Sequence, residues 1–317
     1  MYVLTPKIEF YRLRNFSDKL NATFQFIREN WKPLIKFTFY LLLPICLIQT
    51  IAMNSYMLNA MRLGQTNDFN SFNPVSFFTN YGLLMLIILI GSILLSALVY
   101  SLIQTYNQRE NRLVNIQWAD FKEQLIKNAK RSLTLLVVGV GVFLLVALLF
   151  GAIGAGLYSA TSSIGFTVFI VMIFMLALLI LVIPLSLMMP IYIFDTRINL
   201  RDTVAKAFKW GFNHFWSLLG FLIVVYIITN VLQTVTMMPW YITTIVGSLM
   251  SLETDPGVTQ SLFYKFAIYI LGIIQAMGTY IATIIMLIGI AYQYAHLREK
   301  YEGVTIESNI TNFNELQ

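Results

Sequence analysis

Apolar and polar positions follow one recurring design: a charged stretch of helical period runs directly into a long apolar stretch. The clearest instance covers 199–238. Leu200, Val204, Ala207, Phe208, Gly211, Phe212 and Phe215 recur at i, i+4, i+7/8 spacing and so share one helical face. Arg201, Asp202, Lys206, Lys209 and Asn213 fall mainly on the other. Asn199 stands at the N-cap position, and Asp202–Lys206 is an i, i+4 pair of opposite charge. After Phe215-Trp216 no charged residue appears until Glu253. A basic helix that ends in aromatics and feeds a span is expected at the level of the lipid headgroups. The design repeats at 16–56, where Phe16, Leu20, Phe24, Ile27 and Trp31 form the apolar stripe, and at 120–151, where Phe121, Leu125, Ala129 and Leu133 do. In the latter, Asp120 and Glu123 have capping-box spacing.

Six predominantly apolar runs, 34–58, 81–106, 133–158, 164–194, 215–238 and 266–294, reach or exceed the roughly 20 residues that a helix needs to cross a bilayer. The expected fold is all-α and integral to the membrane. Six transmembrane helices form three hairpins, each preceded by an amphipathic surface helix at 16–32, 120–132 or 199–214, in a single membrane domain over 1–317. Pro33 marks a bend between the first surface helix and its span, and Pro44 a kink within that span. The fourth run is longer than a crossing needs, so it is expected to tilt or to break at Pro184 and Pro190. Residues 239–250 are apolar but too few to cross again, which predicts an interfacial or re-entrant segment. Small residues at Ser92/Ser96, Gly151–Gly156 and Gly272/Ala276 are placed for close helix packing. Residues 251–260 read as a turn in water, and 296–317 as a polar tail.

Composition agrees with this pattern. The 317 residues are 58% hydrophobic and only 11% charged, against roughly a quarter charged in soluble domains. Segments of about 10 residues with alternating polarity, the mark of an outer-membrane barrel, are absent. The net charge of +6 changes the picture only through its distribution. Of the 21 Lys and Arg residues, all but Arg62 and Lys265 fall on one side of the predicted topology. By the positive-inside rule that side is the cytoplasm, and both termini lie there. The expected location is a bacterial cytoplasmic membrane, with no secretory signal at the start of the chain. Cations beside spans are a topology signal rather than a stripe for nucleic acid, so none is expected as a partner. Cys46 is the sole cysteine, inside a span, and His214 and His296 are far apart in sequence. No metal or other cofactor is predicted. Asn21-Ala-Thr23 and Asn309-Ile-Thr311 match a glycosylation sequon but face the cytoplasm, and carry no weight.

The units resemble one another. Aligning Asp18 with Asp202 pairs Leu20 with Val204, Phe24 with Phe208, Phe26 with Trp210 and Trp31 with Phe215, and the helix at Asp120 fits more loosely. Three hairpins in parallel orientation follow, which is not a two-fold inverted repeat. With Phe16-Ser-Asp-Lys-Leu-Asn-Ala-Thr-Phe-Gln-Phe-Ile-Arg-Glu-Asn-Trp31, Pro190-Ile-Tyr-Ile-Phe-Asp195, Asp202-Thr-Val-Ala-Lys-Ala-Phe-Lys-Trp210 and Phe215-Trp216, the chain resembles a superfamily of bacterial and archaeal six-span proteins. That superfamily includes the membrane domain attached to some glycerophosphodiester phosphodiesterases. The resemblance implies the six-span fold over most of the chain. No segment corresponds to the phosphodiesterase catalytic domain, so it implies no activity and no catalytic residue.

Enzymes and ion-coupled carriers place ionisable groups within their spans, and this chain places none in mid-span. Lys36 is near enough to the surface to snorkel, and Asp195 ends the fourth span. The polar residues left in the spans, Asn54, Gln104, Asn230, Gln233 and Gln275, fit interhelical hydrogen bonding or a polar cavity. Two functions remain, neither an enzyme. One is a scaffold or anchor that docks lipid or a protein partner at the cytoplasmic face through Arg201, Lys206, Lys209, Lys127, Lys130 and Arg131. The other is a carrier or lipid-handling protein for an uncharged or lipidic substrate, for which Pro44, Pro184, Pro190 and the Gly151–Gly156 run would break helices around a cavity.

Overall fold

A computed structural model describes residues 6–65, 74–253 and 261–305. These residues are helical almost throughout, with no strand among them. The helices are α1 (Phe16–Gln65), α2 (Pro74–Gln108), α3 (Lys122–Thr161), α4 (Ile164–Leu185), α5 (Met188–Phe194), α6 (Leu200–Asn213), α7 (Phe215–Glu253) and α8 (Leu262–Glu302). Six stretches are long and apolar enough to cross a membrane: one each in α1, α2, α3, α7 and α8, and one over α4–α5.

The breaks differ from the expected ones in instructive ways. In α1 the one residue with non-helical backbone is Asn30 (φ −120°, ψ 18°), while the helix continues through Pro44. Pro33 lacks an N–H and its ring crowds the carbonyl of Glu29, so the bend falls one turn before the proline. Asn30 turns its side-chain amide back to the Phe26 carbonyl at 2.9 Å. The fourth apolar run breaks once, after Pro184: Ser186 N donates to the Val182 and Ile183 carbonyls, and α5 starts two residues later. Pro190 lies in the first turn of α5, where its missing N–H costs nothing. Residues 239–250 do not form a helix of their own. They extend α7 through Pro239 to Glu253. Asp120 caps a 3-10 turn at Trp118–Asp120 rather than starting a capping box with Glu123, and its carboxylate accepts from Gln117 N at 2.8 Å. Residues 254–260 of the predicted turn and 306–317 of the tail, with Asn309, lie outside the described residues.

The chain divides into two compact units. The first comprises 1–23, 103–223 and 288–317, and its core is aromatic. Phe10 meets Phe194 (4.9 Å between centroids) and Tyr292 (5.6 Å), and Tyr294 stacks on Phe194 and Trp210. Within it α3 and α4 are joined by Ser162-Ser163. Ser162 takes the left-handed conformation that ends α3, and Ser163 Oγ accepts from Phe166 N to start α4. Phe150 and Phe174 meet edge to face across the pair.

The second unit comprises 24–102 and 224–287. Here small residues set the helix spacing. A Cβ at Gly278 would stand 2.5 Å from the Thr236 Cβ, so α7 and α8 approach as closely as they do only because that position is glycine. Gly272 meets Thr50 and Gly91 meets Tyr280 in the same way. The Tyr280 hydroxyl, buried by this approach, donates to Gln49 Oε1 at 2.8 Å.

Candidate functional site

The predicted docking cations fall into two groups. Lys206 and Arg131 are bound into the first unit. Lys206 Nζ lies 3.2 Å from Asp195 Oδ2, pairs also with Glu302, and sits 4.7 Å above the Trp210 ring. Trp210 stacks in parallel on Tyr301 (5.4 Å, 4°). Glu302 pairs in turn with Arg298 Nε at 2.9 Å, and Arg298 donates to the hydroxyls of Tyr11 and Tyr294 at 3.1 and 2.9 Å. Arg131 donates to the Asp195 and Thr196 carbonyls and covers Tyr192 at 4.0 Å. The network therefore ties α6, the end of α5, the base of α3 and the end of α8 together. In contrast, Arg201, Lys209, Lys127 and Lys130 are exposed. Helical phase explains the split. Thr203, Ala207, Trp210 and Gly211 are buried, and Lys206 lies on the edge of that face.

The polar residues of the spans are not brought together. Asn54 Oδ1 accepts from Trp240 Nε1 at 3.1 Å, and Gln233 Nε2 donates to Thr283 Oγ1 at 3.3 Å. Asn230 turns back to the Tyr226 carbonyl of its own helix at 3.0 Å. Gln275 Oε1 is buried with no hydrogen-bond partner among the described residues. A denser amide cluster lies in the first unit. Gln104 Oε1 accepts from Gln124 Nε2 (2.6 Å) and Asn128 Nδ2 (2.7 Å), while Gln104 Nε2 faces the Ile193 carbonyl at 3.4 Å. Gln124 and Asn128 escape a reading of the sequence because they belong to the charged stretch before the third span. Their signal is the 124/128 spacing, which puts two amides one above the other on the apolar side of α3.

The second unit carries an apolar groove of about 290 Å³. Ile27, Trp31 and Leu34 of α1, Leu232 and Val235 of α7 and Ile281 of α8 line it. This is at the bottom of the roughly 300–1,000 Å³ range of small-molecule pockets, and it lacks the convergent polar groups that orient a polar substrate.

The α3–α4 pair is bare. No residue of the most apolar stretch of α3 is buried, and 6% of that over α4–α5 is, against 39% in α1, 50% in α2 and 44% in α8. Gly139, Gly141, Gly151, Gly154, Gly156 and Gly165 lie on this pair, and a Cβ at any of them would meet nothing within 4 Å. The close packing predicted at Gly151–Gly156 is not made within the described chain. Among the described residues, no group of three or more His, Cys, Asp or Glu side chains converges as a metal site would. No family model, curated protein or solved structure matches the chain.

Proposed function

We propose that this protein is a non-catalytic scaffold of a bacterial cytoplasmic membrane, which holds a helical membrane partner against the hairpin formed by α3 and α4. The observation that carries the reading is the bareness of that hairpin beside the half-buried α1, α2 and α8. Exposure to lipid alone is tolerable for Leu, Val and Phe. It gives no reason for five glycines in α3, each of which weakens a helix by roughly 0.5–1 kcal/mol relative to alanine. A partner backbone at close approach does. The positive-inside distribution supports a topology with the termini and the basic ends of the helices in the cytoplasm. There Arg201, Lys209, Lys127 and Lys130 are free to meet anionic lipid or an acidic face of the partner, whereas Lys206 and Arg131 serve the internal ties. Native mass spectrometry of the protein in discs cut from its own membrane tests this: a protein partner at fixed stoichiometry supports it, and the chain with bulk lipid alone refutes it.

The apolar groove favours a second reading, a lipid-handling protein for an uncharged or lipidic substrate. One lipid species enriched near one per chain in the same discs, and lost on filling the groove with Ile281→Trp, would select it.

A further inference from the structure

Within the first unit, four basic side chains from three elements gather where α1 and α7 begin and α8 ends. Lys19 belongs to the first turn of α1, His214 is the single residue separating α6 from α7, and His296 and Lys300 stand one turn apart on α8. Lys300 Nζ lies 2.8 Å from His214 Nε2, and the Tyr301 hydroxyl lies 3.2 Å from His214 Nδ1. His296 is fixed from the other side, its Nδ1 accepting from the backbone N–H of Arg14 at 3.1 Å.

Lys19 makes the cluster unusual. It is 2% exposed, yet its ammonium forms no hydrogen bond and no ion pair among the described residues. Its one side-chain contact of note is the Phe221 ring at 5.5 Å. A buried charge without a counter-ion is costly, and a cation–π contact offsets only part of that cost. The charged groups acting on Lys19, His214 and His296 are themselves basic: Lys300 on Lys19; Lys300 and Lys19 on His214; Lys19, Lys300, His214 and Arg14 on His296. Glu9 and Asp18 act on Arg14 at the margin, while Glu299 accepts from Thr305 N and Glu302 pairs with Lys206 and Arg298. Arg14 itself is occupied, donating to the Phe10 and Glu9 carbonyls and lying over Tyr292. Lys300 is exposed and His214 half-buried, so the cluster opens to the surface on their side. Phe16 packs against the buried Phe221 that Lys19 faces, and Trp216, two residues past His214, is largely exposed, as a tryptophan at the headgroup level is.

We propose that Lys19, His214, His296 and Lys300 form a binding site for a phosphate group, carried by a phospholipid headgroup or by a soluble phosphate. A phosphate offers several strong acceptor oxygens and up to two negative charges, enough to engage two ammonium groups, an imidazolium and the Tyr301 hydroxyl at once. A single carboxylate brings only one negative charge and two oxygens to the same donors. Bound phosphate would supply the counter-charge that Lys19 lacks. The site is independent of the scaffold reading, because it needs no partner at α3–α4.

The test uses the full chain purified in an uncharged detergent. Inorganic phosphate is titrated in, and the protein is separately placed in discs of phosphatidylcholine with or without phosphatidic acid. Thermal unfolding and the imidazole NMR signals are followed. Wild type is expected to gain thermal stability saturably, and its His214 signals to move toward the protonated form. Lys19→Met, which fills the same space without charge, is expected to be more stable than wild type in the absence of phosphate and to bind at least tenfold more weakly. Arg201→Gln, an exposed cation elsewhere, is expected to behave as wild type. A response to inorganic phosphate identifies a soluble ligand, and a response confined to phosphatidic acid identifies a headgroup. No saturable response to either, or an equal response in Lys19→Met, overturns the proposal. His296→Gln gives the second variant: binding unchanged by both substitutions is equally fatal to it.

Discussion

Gly211 of α6 lies directly against Pro184, so that a Cβ at 211 would stand 2.6 Å from the proline Cα. The atom in the way is backbone and cannot swing aside. The helix that leads into α7 is thus seated on the break that ends α4, and the two irregularities are one packing arrangement. Gly211→Ala is expected to lower stability by about 1–3 kcal/mol, the usual cost of overpacking. Thermal unfolding in detergent measures it, and an unchanged midpoint would show that α6 is not seated there.

Two lysines one turn apart on α6 should behave differently. Lys206 bridges Asp195 and Glu302, with 18% of its side chain exposed and 13% of Asp195's. Its loss falls between the 0–1 kcal/mol of exposed pairs and the 3–5 kcal/mol of buried ones, so Lys206→Ala is expected to cost about 2 kcal/mol. Lys209 is exposed, and Lys209→Ala is expected to stay within about 0.5 kcal/mol. Chemical denaturation of the two variants side by side decides this. A charge-reversal test of surface docking therefore belongs at Arg201 and Lys209, not at Lys206.

The all-α class and the six apolar helices were legible in run length alone, because uncharged stretches of that size have no other stable form. Helix boundaries at prolines were less so. Pro33, Pro44, Pro184, Pro190 and Pro239 are chemically alike, yet the backbone leaves helical geometry near Pro33 and Pro184 and is continuous through Pro44 and Pro239. What differs is what fills the gap: Asn30 bonds back to Phe26, and Gly211 sits on Pro184. Such partners are distant or specific, and periodicity does not show them. The candidate cations were legible as charged helical stretches. Which of them are free was not, since Lys206 owes its ties to Asp195 and Glu302, far from it in sequence. Lys19 is one of 21 Lys and Arg residues, and only its burial sets it apart.

His214 gives the fold a dependence on pH. Burial first, then the neighbouring ammonium groups of Lys300 and Lys19, hold its imidazole below the ordinary value of 6.5. The unfolded chain therefore binds the proton more readily than the folded one. The contribution of neutral His214 is fully present above about pH 6.5 and is lost as pH falls through its lowered value. In phosphate-free buffer the unfolding midpoint is expected to drop between pH 7.5 and pH 5, and the drop to shrink in His214→Gln. An equal drop in that variant would place the effect elsewhere.

Glycines in the two kinds of surroundings should respond with opposite signs. Gly278→Ala would drive a methyl group into Thr236 and is expected to destabilise by about 1–3 kcal/mol. Gly151→Ala meets open space and is expected to stabilise the isolated protein by roughly 0.5–1 kcal/mol through helix propensity. Destabilisation by Gly151→Ala in the isolated, monomeric chain would mean that this face is already packed.

The scaffold reading is tested most directly by asking what touches α3 in the native membrane. Cys46 is fully buried, so a spin label attached to Leu148→Cys, a largely exposed position on α3, reports on that position alone. Its accessibility to oxygen dissolved in the bilayer is measured in discs cut from the cell membrane and in discs of pure lipid at high dilution. The account predicts a label shielded in the first and open in the second; shielding restored in pure lipid at high protein density would make the partner a second copy of this chain. A label equally open to oxygen in both membranes would contradict the account, because α3 and α4 would then face only lipid.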